Sequence, residues 1–123
     1  MRILTVAENL DLKRRVEELL GPRCEEVVWE SSFDRVLDRF EDATFEILLV
    51  AGQLFRDSQE GVETLEVLAD RCAITQVLFL LEPRHTGMVR TVLRAGTYQY
   101  ARMPVADEEL KILIESAWEQ RPQ

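Results

Sequence analysis

Two stretches of consecutive apolar residues, 47–50 and 77–81, place the strongest constraint on how this chain can fold. Neither shows the alternation of apolar and polar residues that is typical of a strand with one face in water. A strand that is apolar on both sides must be covered on both sides, as in parallel sheets with helices packed above and below. We therefore predict a doubly wound α/β domain built on a parallel sheet.

Short apolar segments alternate with amphipathic segments along the chain, which indicates five consecutive strand–helix units. The predicted strands span 3–6, 26–29, 45–51, 77–81 and 98–103. Apolar residues at helical spacing follow each of them. We expect Asn9 to cap the first helix, Gly21-Pro22 to end it, and Ser31 or Ser32 to cap the second.

The length of 123 residues suits one domain, which we predict to span 1–119, with a tail or the start of a linker at 120–123. No apolar run approaches the ~20 residues of a transmembrane helix, and the first apolar segment is too short for a signal peptide. Cys24 and Cys72 lie far apart and have no metal-binding spacing. These features predict a cytoplasmic protein that is not bound to a membrane.

The formal net charge of −8 opposes direct binding to nucleic acid, because such binding depends on neutralising phosphates. The charge is uneven: 17–46 holds ten acidic residues and three arginines, whereas 83–105 holds no acidic residue. The arginines of the second stretch are Arg84, Arg90, Arg94 and Arg102. Two interpretations stay open for it: a solvated face, or a surface that meets an acidic partner or the acidic face of a second copy.

In a doubly wound sheet the functional site lies at the carboxyl ends of the strands. The residues at those ends are Ala7 and Glu8, Ala51, Leu81 and Met103, after the first, third, fourth and fifth strands. Glu8 is the acid closest to this edge, and Glu82 is a second, weaker candidate for a metal ligand. Glu8 and Asp57, which lies in the loop after the third strand, are weak candidates to hold a cation together. We predict no metal and no cofactor on this basis.

Three segments together resemble the receiver domain of response regulators, which has the CheY-like fold. They are 3–9 (ILTVAEN), 45–51 (FEILLVA) and 95–104, in which Ala95-Gly96 leads to Tyr100 and Met103-Pro104. The order of strands and helices is similar over essentially the whole chain. The resemblance implies a flavodoxin-like (βα)5 fold, a five-stranded parallel sheet in the order 2-1-3-4-5, and a role in bacterial two-component signal transduction and phosphorelay.

The same alignment places apolar residues at four of the five signature positions of a receiver. The family's acidic pair falls on Ala7 and Glu8, and its phosphoaccepting aspartate falls on Ala51. The family's hydroxyl residue falls on Leu81 and its lysine on Met103. Alanine has no oxygen that can accept a phosphoryl group, and Mg²⁺ needs several oxygen ligands. The resemblance therefore implies a pseudo-receiver, with a degenerate phosphorylation pocket and no catalytic residue.

Tyr100 falls at the position of the family's aromatic switch residue, although the hydroxyl with which that residue pairs is replaced at Leu81. A simple packing role for Tyr100 also stays open. The loop 51–61 is longer than the family's usual turn and lacks its proline. The family has a cis peptide where Met103-Pro104 stands, and X-Pro bonds tolerate the cis form, so we expect one here.

The candidate interaction surface combines the fourth predicted helix, the fifth strand and the fifth helix. Arg90 and Arg94 lie one turn apart on that helix, and Arg102 and Trp118 complete the surface. We expect it to bind a protein partner or a second copy, which would make a homodimer. We predict no enzymatic activity, because His85 is the sole histidine and no glycine-rich phosphate loop is present.

Three functions stay open from the sequence. The first is a phosphorylation-independent module that works by protein–protein interaction. The second is the N-terminal regulatory domain of a transcriptional regulator or a signalling enzyme. The third is a small-molecule sensor, in which a neutral or cationic ligand occupies the vacated pocket at Ala7, Glu8, Ala51, Leu81 and Met103.

Overall fold

The computed structural model describes residues 1–51, 63–64, 66–67, 75–81 and 99–121. In that part of the chain, one parallel sheet has the strand order β2-β1-β3-β4-β5. The strands are β1 (Arg2–Val6), β2 (Glu26–Glu30), β3 (Ile47–Ala51), β4 (Gln76–Leu81) and β5 (Gln99–Arg102). The helices are α1 (Asp11–Leu20), α2 (Val36–Asp42) and α3 (Asp107–Glu119), and residues 63, 64, 66 and 67 are also helical. The predicted flavodoxin-like fold and strand order are confirmed.

Successive side chains of the central strands enter two separate apolar cores, one on each face of the sheet. In β3, Leu48 and Val50 pack with α2, whereas Ile47 and Leu49 pack with α1 and α3. All four side chains are fully buried. Because neighbouring residues of a strand point to opposite faces, a strand covered on both sides must be apolar throughout. The unbroken apolar runs of the sequence have this physical origin.

Two predicted strands are longer than the observed ones. Phe45 and Glu46 precede β3. Phe45 is buried, and its ring packs edge-on against that of Phe40, with 5.3 Å between the ring centroids. Met103 follows β5, although its backbone N–H still donates to the Leu81 carbonyl. Residue 98 lies outside the described residues. The bond between Met103 and Pro104 is cis, as expected.

The helix boundaries agree with the sequence in two places and differ in one. The Ser32 hydroxyl accepts a bond from the Asp34 N–H at 3.4 Å and caps the turn that leads into α2. Gly21 ends α1 with a positive φ of 52°. Asn9, however, is not the N-cap of α1, because Leu10 holds that position. The Asn9 side chain instead accepts a bond from the Asp11 N–H at 2.9 Å and forms a turn before the helix.

Two arginines join the first and last helical regions on one side of the sheet. Arg15 of α1 donates to the Asp107 carboxylate at 2.5 Å and also to the Val105 carbonyl. Arg23, in the turn after α1, donates to the Glu115 carboxylate at 2.5 Å. The Arg15 contacts fix the segment between β5 and α3, which carries Met103 to the carboxyl end of the sheet.

Among the described residues, no helix is both long enough and apolar enough to cross a membrane.

Candidate functional site

The carboxyl end of the sheet is organised around Ala7, the residue that follows β1. Its N–H donates to the Glu30 carbonyl at 3.1 Å, which extends the pairing of β1 with β2 by one residue. Its carbonyl accepts a bond from the indole Nε1 of Trp29 at 2.9 Å. The backbone of Ala7 is therefore held on both sides. The sequence carried no signal for this role of Trp29, because the contact depends on the register of two strands.

A cavity of about 230 Å³ lies at this end of the sheet. Its apolar wall is formed by Ala7, Leu12, Ala51, Leu80 and Met103, and its polar side by Asn9, Asp11 and Arg15. Three of the five residues that we predicted for the pocket, Ala7, Ala51 and Met103, do line it. The strand ends therefore meet as the parallel topology requires.

Glu8 and Leu81 do not line this cavity, which corrects the predicted set. Leu81 belongs to the apolar core on the other face of the sheet. Leu80 takes its place, since it pairs with Ala51 across β3 and β4 and points to the same face. The apolar run at the end of β4 does not reveal which leucine faces the cavity, because both are buried.

The polar lining residues were missed by sequence reasoning. Asn9 lies in the turn before α1, Asp11 is the first residue of α1, and Arg15 follows one turn later. In a strand–helix unit the N-terminal turn of the helix lies beside the carboxyl end of the preceding strand. The sequence position of these residues, just after β1, could therefore have predicted that they line the cavity.

The described residues do not fit a Mg²⁺ site of the receiver type. Mg²⁺ requires oxygen ligands in near-octahedral geometry, and the side chains of Ala7, Ala51 and Met103 have no oxygen. No group of three potential metal-ligating side chains occurs in the described part of the chain. Glu8 is exposed and lies outside the cavity lining, and Asp57 lies outside the described residues.

Tyr100 packs on the opposite face of the sheet from the cavity. Its half-buried ring contacts the apolar core that contains Leu81 and Phe79. Tyr100 and Leu81 therefore belong to one core. The contact is apolar, because leucine has no polar group for the Tyr100 hydroxyl to bind.

A second concave surface, the β5–α3 groove, lies between β5 and the last helix and encloses about 650 Å³. It is lined by Tyr100, Ala101, Arg102, Glu109, Ile112, Leu113 and Ser116. Ile112 is 60% exposed, a large value for an isoleucine. Arg102 and Glu109 are both exposed, so the groove presents one charge of each sign beside an apolar side chain.

The residues of the predicted interaction surface do not all lie on one described surface. Arg102 lines the β5–α3 groove, whereas Arg90 and Arg94 lie outside the described residues. Trp118 does not line the groove and packs against the apolar core beneath α1 and α3. The Arg121 guanidinium lies 3.4 Å from the centre of the Trp118 ring. Trp118 thus faces a different side of α3 from Ile112.

Cys24 is a half-buried free thiol near the start of β2. Its Sγ lies 3.4 Å from the Met1 carbonyl oxygen and 3.3 Å from that of Glu26. Burial raises the pKa of the Cys24 thiol, so the reactive thiolate is disfavoured at neutral pH. The hydrogen bond to the Glu26 backbone and the N-terminal ammonium oppose this effect but do not outweigh it, so Cys24 is not an activated nucleophile.

The fold and the strand order define the class of architecture: a doubly wound α/β domain with the CheY-like fold. Solved structures of response regulator receiver domains share this fold with the chain. No protein-family model matches the sequence, and no curated protein matches it significantly.

Three solved structures illustrate the likeness. A response regulator receiver domain protein from Clostridium thermocellum is 19% identical with a TM-score of 0.78, over 97% of this chain and 94% of that one. NtrX from Brucella abortus is 19% identical with a TM-score of 0.79, over 96% of this chain. An adenylate cyclase structure from Rhodopirellula baltica is 18% identical with a TM-score of 0.79, over 97% of this chain and 87% of that one.

The coverage of NtrX shows how the fold is used in a longer protein. This chain spans 26% of the NtrX chain but 98% of the structure of its receiver domain alone. Because the sequence identities are below 20%, the similarity to these structures establishes a shared fold.

Proposed function

We propose that this protein is a receiver-like signalling module that works by protein–protein interaction and independently of phosphorylation. The observation that carries the proposal is Ala51 at the end of β3, in a cavity whose wall is apolar. An aspartyl phosphate needs a carboxylate nucleophile, a cation and a positive charge that offsets the phosphoryl group. Ala51, Ala7 and Met103 supply none of these.

The β5–α3 groove supports a binding role. Its exposed Ile112 gives an apolar contact point, and Arg102 and Glu109 flank it with opposite charges. In a two-fold symmetric dimer the same patch is used by both copies, so Arg102 of one copy meets Glu109 of the other. We propose a second copy as the partner, because a patch with both charges is complementary to itself.

Intact mass after incubation with acetyl phosphate and Mg²⁺ tests the independence from phosphorylation. We expect no added phosphoryl mass in this chain and a clear adduct in an ordinary receiver domain treated in parallel. Ala51→Asp is expected to remain unmodified too, since the carboxylate alone lacks the cation ligands and the lysine. A phospho-adduct on the wild-type chain would contradict the proposal, and peptide mapping would show whether Glu8 or Asp57 carries it.

A regulatory domain of a longer protein is the second candidate, and the comparisons favour it. The chain matches 26% of the NtrX chain, so there the fold is one part of a longer chain, and it matches 87% of a structure named as an adenylate cyclase. The full-length gene product would decide between a separate module and an N-terminal regulatory domain. A DNA-binding or catalytic segment after residue 123 would support the second candidate.

A further inference from the structure

We propose that the cavity at the carboxyl end of the sheet binds a small organic cation, an amine attached to an apolar body. The cavity lies on the opposite face of the sheet from Tyr100 and is separate from the β5–α3 groove. It is therefore a binding site in its own right, and it does not depend on which partner the groove takes.

The volume and the apolar wall of the cavity indicate the size and the apolar character of the ligand. Ala7, Ala51, Leu80 and Met103 bring together the ends of β1, β3, β4 and β5, and none of their side chains is charged. An apolar cavity of about 150 Å³ holds one benzene molecule. The volume of about 230 Å³ thus suits one ring with a short substituent.

The charged residues that line the cavity indicate that the ligand is a cation. Arg15 is already paired with the Asp107 carboxylate and the Val105 carbonyl, so its charge is matched. Asp11, in the first turn of α1, forms no ion pair with any described residue. The helix N-terminus offsets this carboxylate by only about half a unit charge. One negative charge beside an apolar wall favours an amine over a carboxylate ligand.

Trp29 provides a reporter for occupancy. Its indole donates to the carbonyl of Ala7, and Ala7 forms part of the cavity wall. The sequence contains two tryptophans, so Trp118→Phe leaves Trp29 as the single tryptophan, which is excited selectively at wavelengths that tyrosine does not absorb. A ligand that contacts Ala7 is expected to change the Trp29 emission.

The test uses phenylethylamine as the probe, with phenylethanol as its uncharged analogue and phenylacetate as its anionic analogue. Each compound is titrated into the full chain carrying Trp118→Phe while Trp29 emission and the thermal midpoint are followed. We expect saturation by phenylethylamine with a rise in the midpoint, since a ligand that binds the folded state stabilises it. Phenylethanol is expected to need a roughly fivefold higher concentration, which is the effect of one partly exposed charge. Phenylacetate is expected not to bind.

Matched variants locate the site. Asp11→Asn is expected to weaken phenylethylamine binding roughly fivefold and to leave phenylethanol binding unchanged. Asp38→Asn is the control, because Asp38 also lies in the first turn of a helix, is also exposed and does not line the cavity. Ala51→Leu is expected to fill the cavity and abolish the binding of both compounds.

Three results would overturn the proposal: no saturation by phenylethylamine up to its solubility limit, tighter binding of phenylacetate, or equal losses in the Asp11 and Asp38 variants. If circular dichroism shows that Ala51→Leu does not fold, the pair of aspartate variants still decides. The phosphorylation and association experiments use none of these probes, so the two proposals can fail separately.

Discussion

At the scale of single residues, a few side chains decide what the carboxyl edge of the sheet can do. Ala7 and Ala51 have no side-chain oxygen atoms of the kind that a phosphotransfer site requires, and they line a cavity. Clustered carboxylates repel one another unless a cation lies between them, so a site without the full acidic set is less costly to bury. The two alanines are therefore consistent with each other.

Among the ion-pairing residues that the structure describes, Arg15 is the one whose loss we expect to be most costly. It is 26% exposed and donates both to Asp107 and to the Val105 carbonyl, which joins α1 to the segment before α3. Arg15→Gln should lower the free energy of unfolding by about 1–2 kcal/mol, because hydrogen bonds from charged donors are lost. Urea denaturation with an unchanged m-value would measure this loss.

Arg23→Gln is the matched control for Arg15→Gln. Arg23 also bridges to α3, but its side chain is 54% exposed and its partner is one carboxylate. We expect a loss below about 1 kcal/mol, as for other exposed ion pairs. Equal losses in the two variants would show that the Arg15 contact with the Val105 carbonyl contributes little.

At the scale of elements, each helix is held by packing against the sheet more than by its caps. Neither α1 nor α3 has a side-chain cap at its N-terminus, yet both bury a row of apolar residues. In α3 that row is Leu110, Leu113, Ile114 and Ala117. A helix of this length is marginal in water on its own, so the tertiary contacts supply most of its stability.

The end of α1 depends on the backbone of Gly21, which has φ 52° and ψ −131°. Residues with a Cβ rarely adopt this conformation, whereas glycine does so readily. Gly21→Ala should therefore destabilise the protein by about 1–3 kcal/mol. A Cβ at this position meets nothing within 4 Å, so the cost is conformational and not a clash. Thermal and urea unfolding would measure it.

Pro22→Ala is the control for Gly21→Ala, because it changes the neighbouring residue of the same turn and leaves the positive φ of Gly21 in place. Pro22 is exposed and lies at the start of the turn Gly21–Arg23, so we expect a change within about 1 kcal/mol. A Gly21→Ala variant as stable as the wild type would mean that the chain leaves α1 by another route.

At the scale of the whole molecule, the cavity and the β5–α3 groove are two distinct concave surfaces that share no lining residue. The cavity lies on the face covered by α1 and α3, whereas Tyr100 packs on the face covered by α2. The β5–α3 groove lies at the edge of the sheet beside β5. A ligand in the cavity and a partner in the groove would therefore not compete for the same surface.

Self-association through the groove predicts a defined pattern of charge variants. Ile112→Asp should shift the protein from dimer to monomer in sedimentation experiments, because it places a charge at the centre of the contact. Arg102→Glu should weaken the dimer, and Arg102→Glu combined with Glu109→Arg should restore it, since the two residues exchange roles across a two-fold axis.

Lys111→Glu is the control for the dimer experiment, since Lys111 lies in α3 but does not line the groove. We expect this variant to associate like the wild type. A wild-type chain that is monomeric at every concentration would contradict self-association and would direct the search to a different protein partner.

The sequence by itself determined the fold, since the elements follow from local patterns. Apolar runs such as 47–50 reflect a strand covered on both faces, and helical spacing reflects one buried face per helix. The same patterns placed Ala7, Ala51 and Met103 at one edge, because parallel strands end together.

Only the tertiary structure decided which side chains meet. That Leu80 and not Leu81 faces the cavity depends on the register of β4 with β3, and an apolar run is the same in either register. The contacts of Trp29 with Ala7 and of Arg15 with Asp107 join residues 22 and 92 positions apart. Periodicity records which face of an element is buried but not what lies opposite it, so such partners emerge only once the chain is folded.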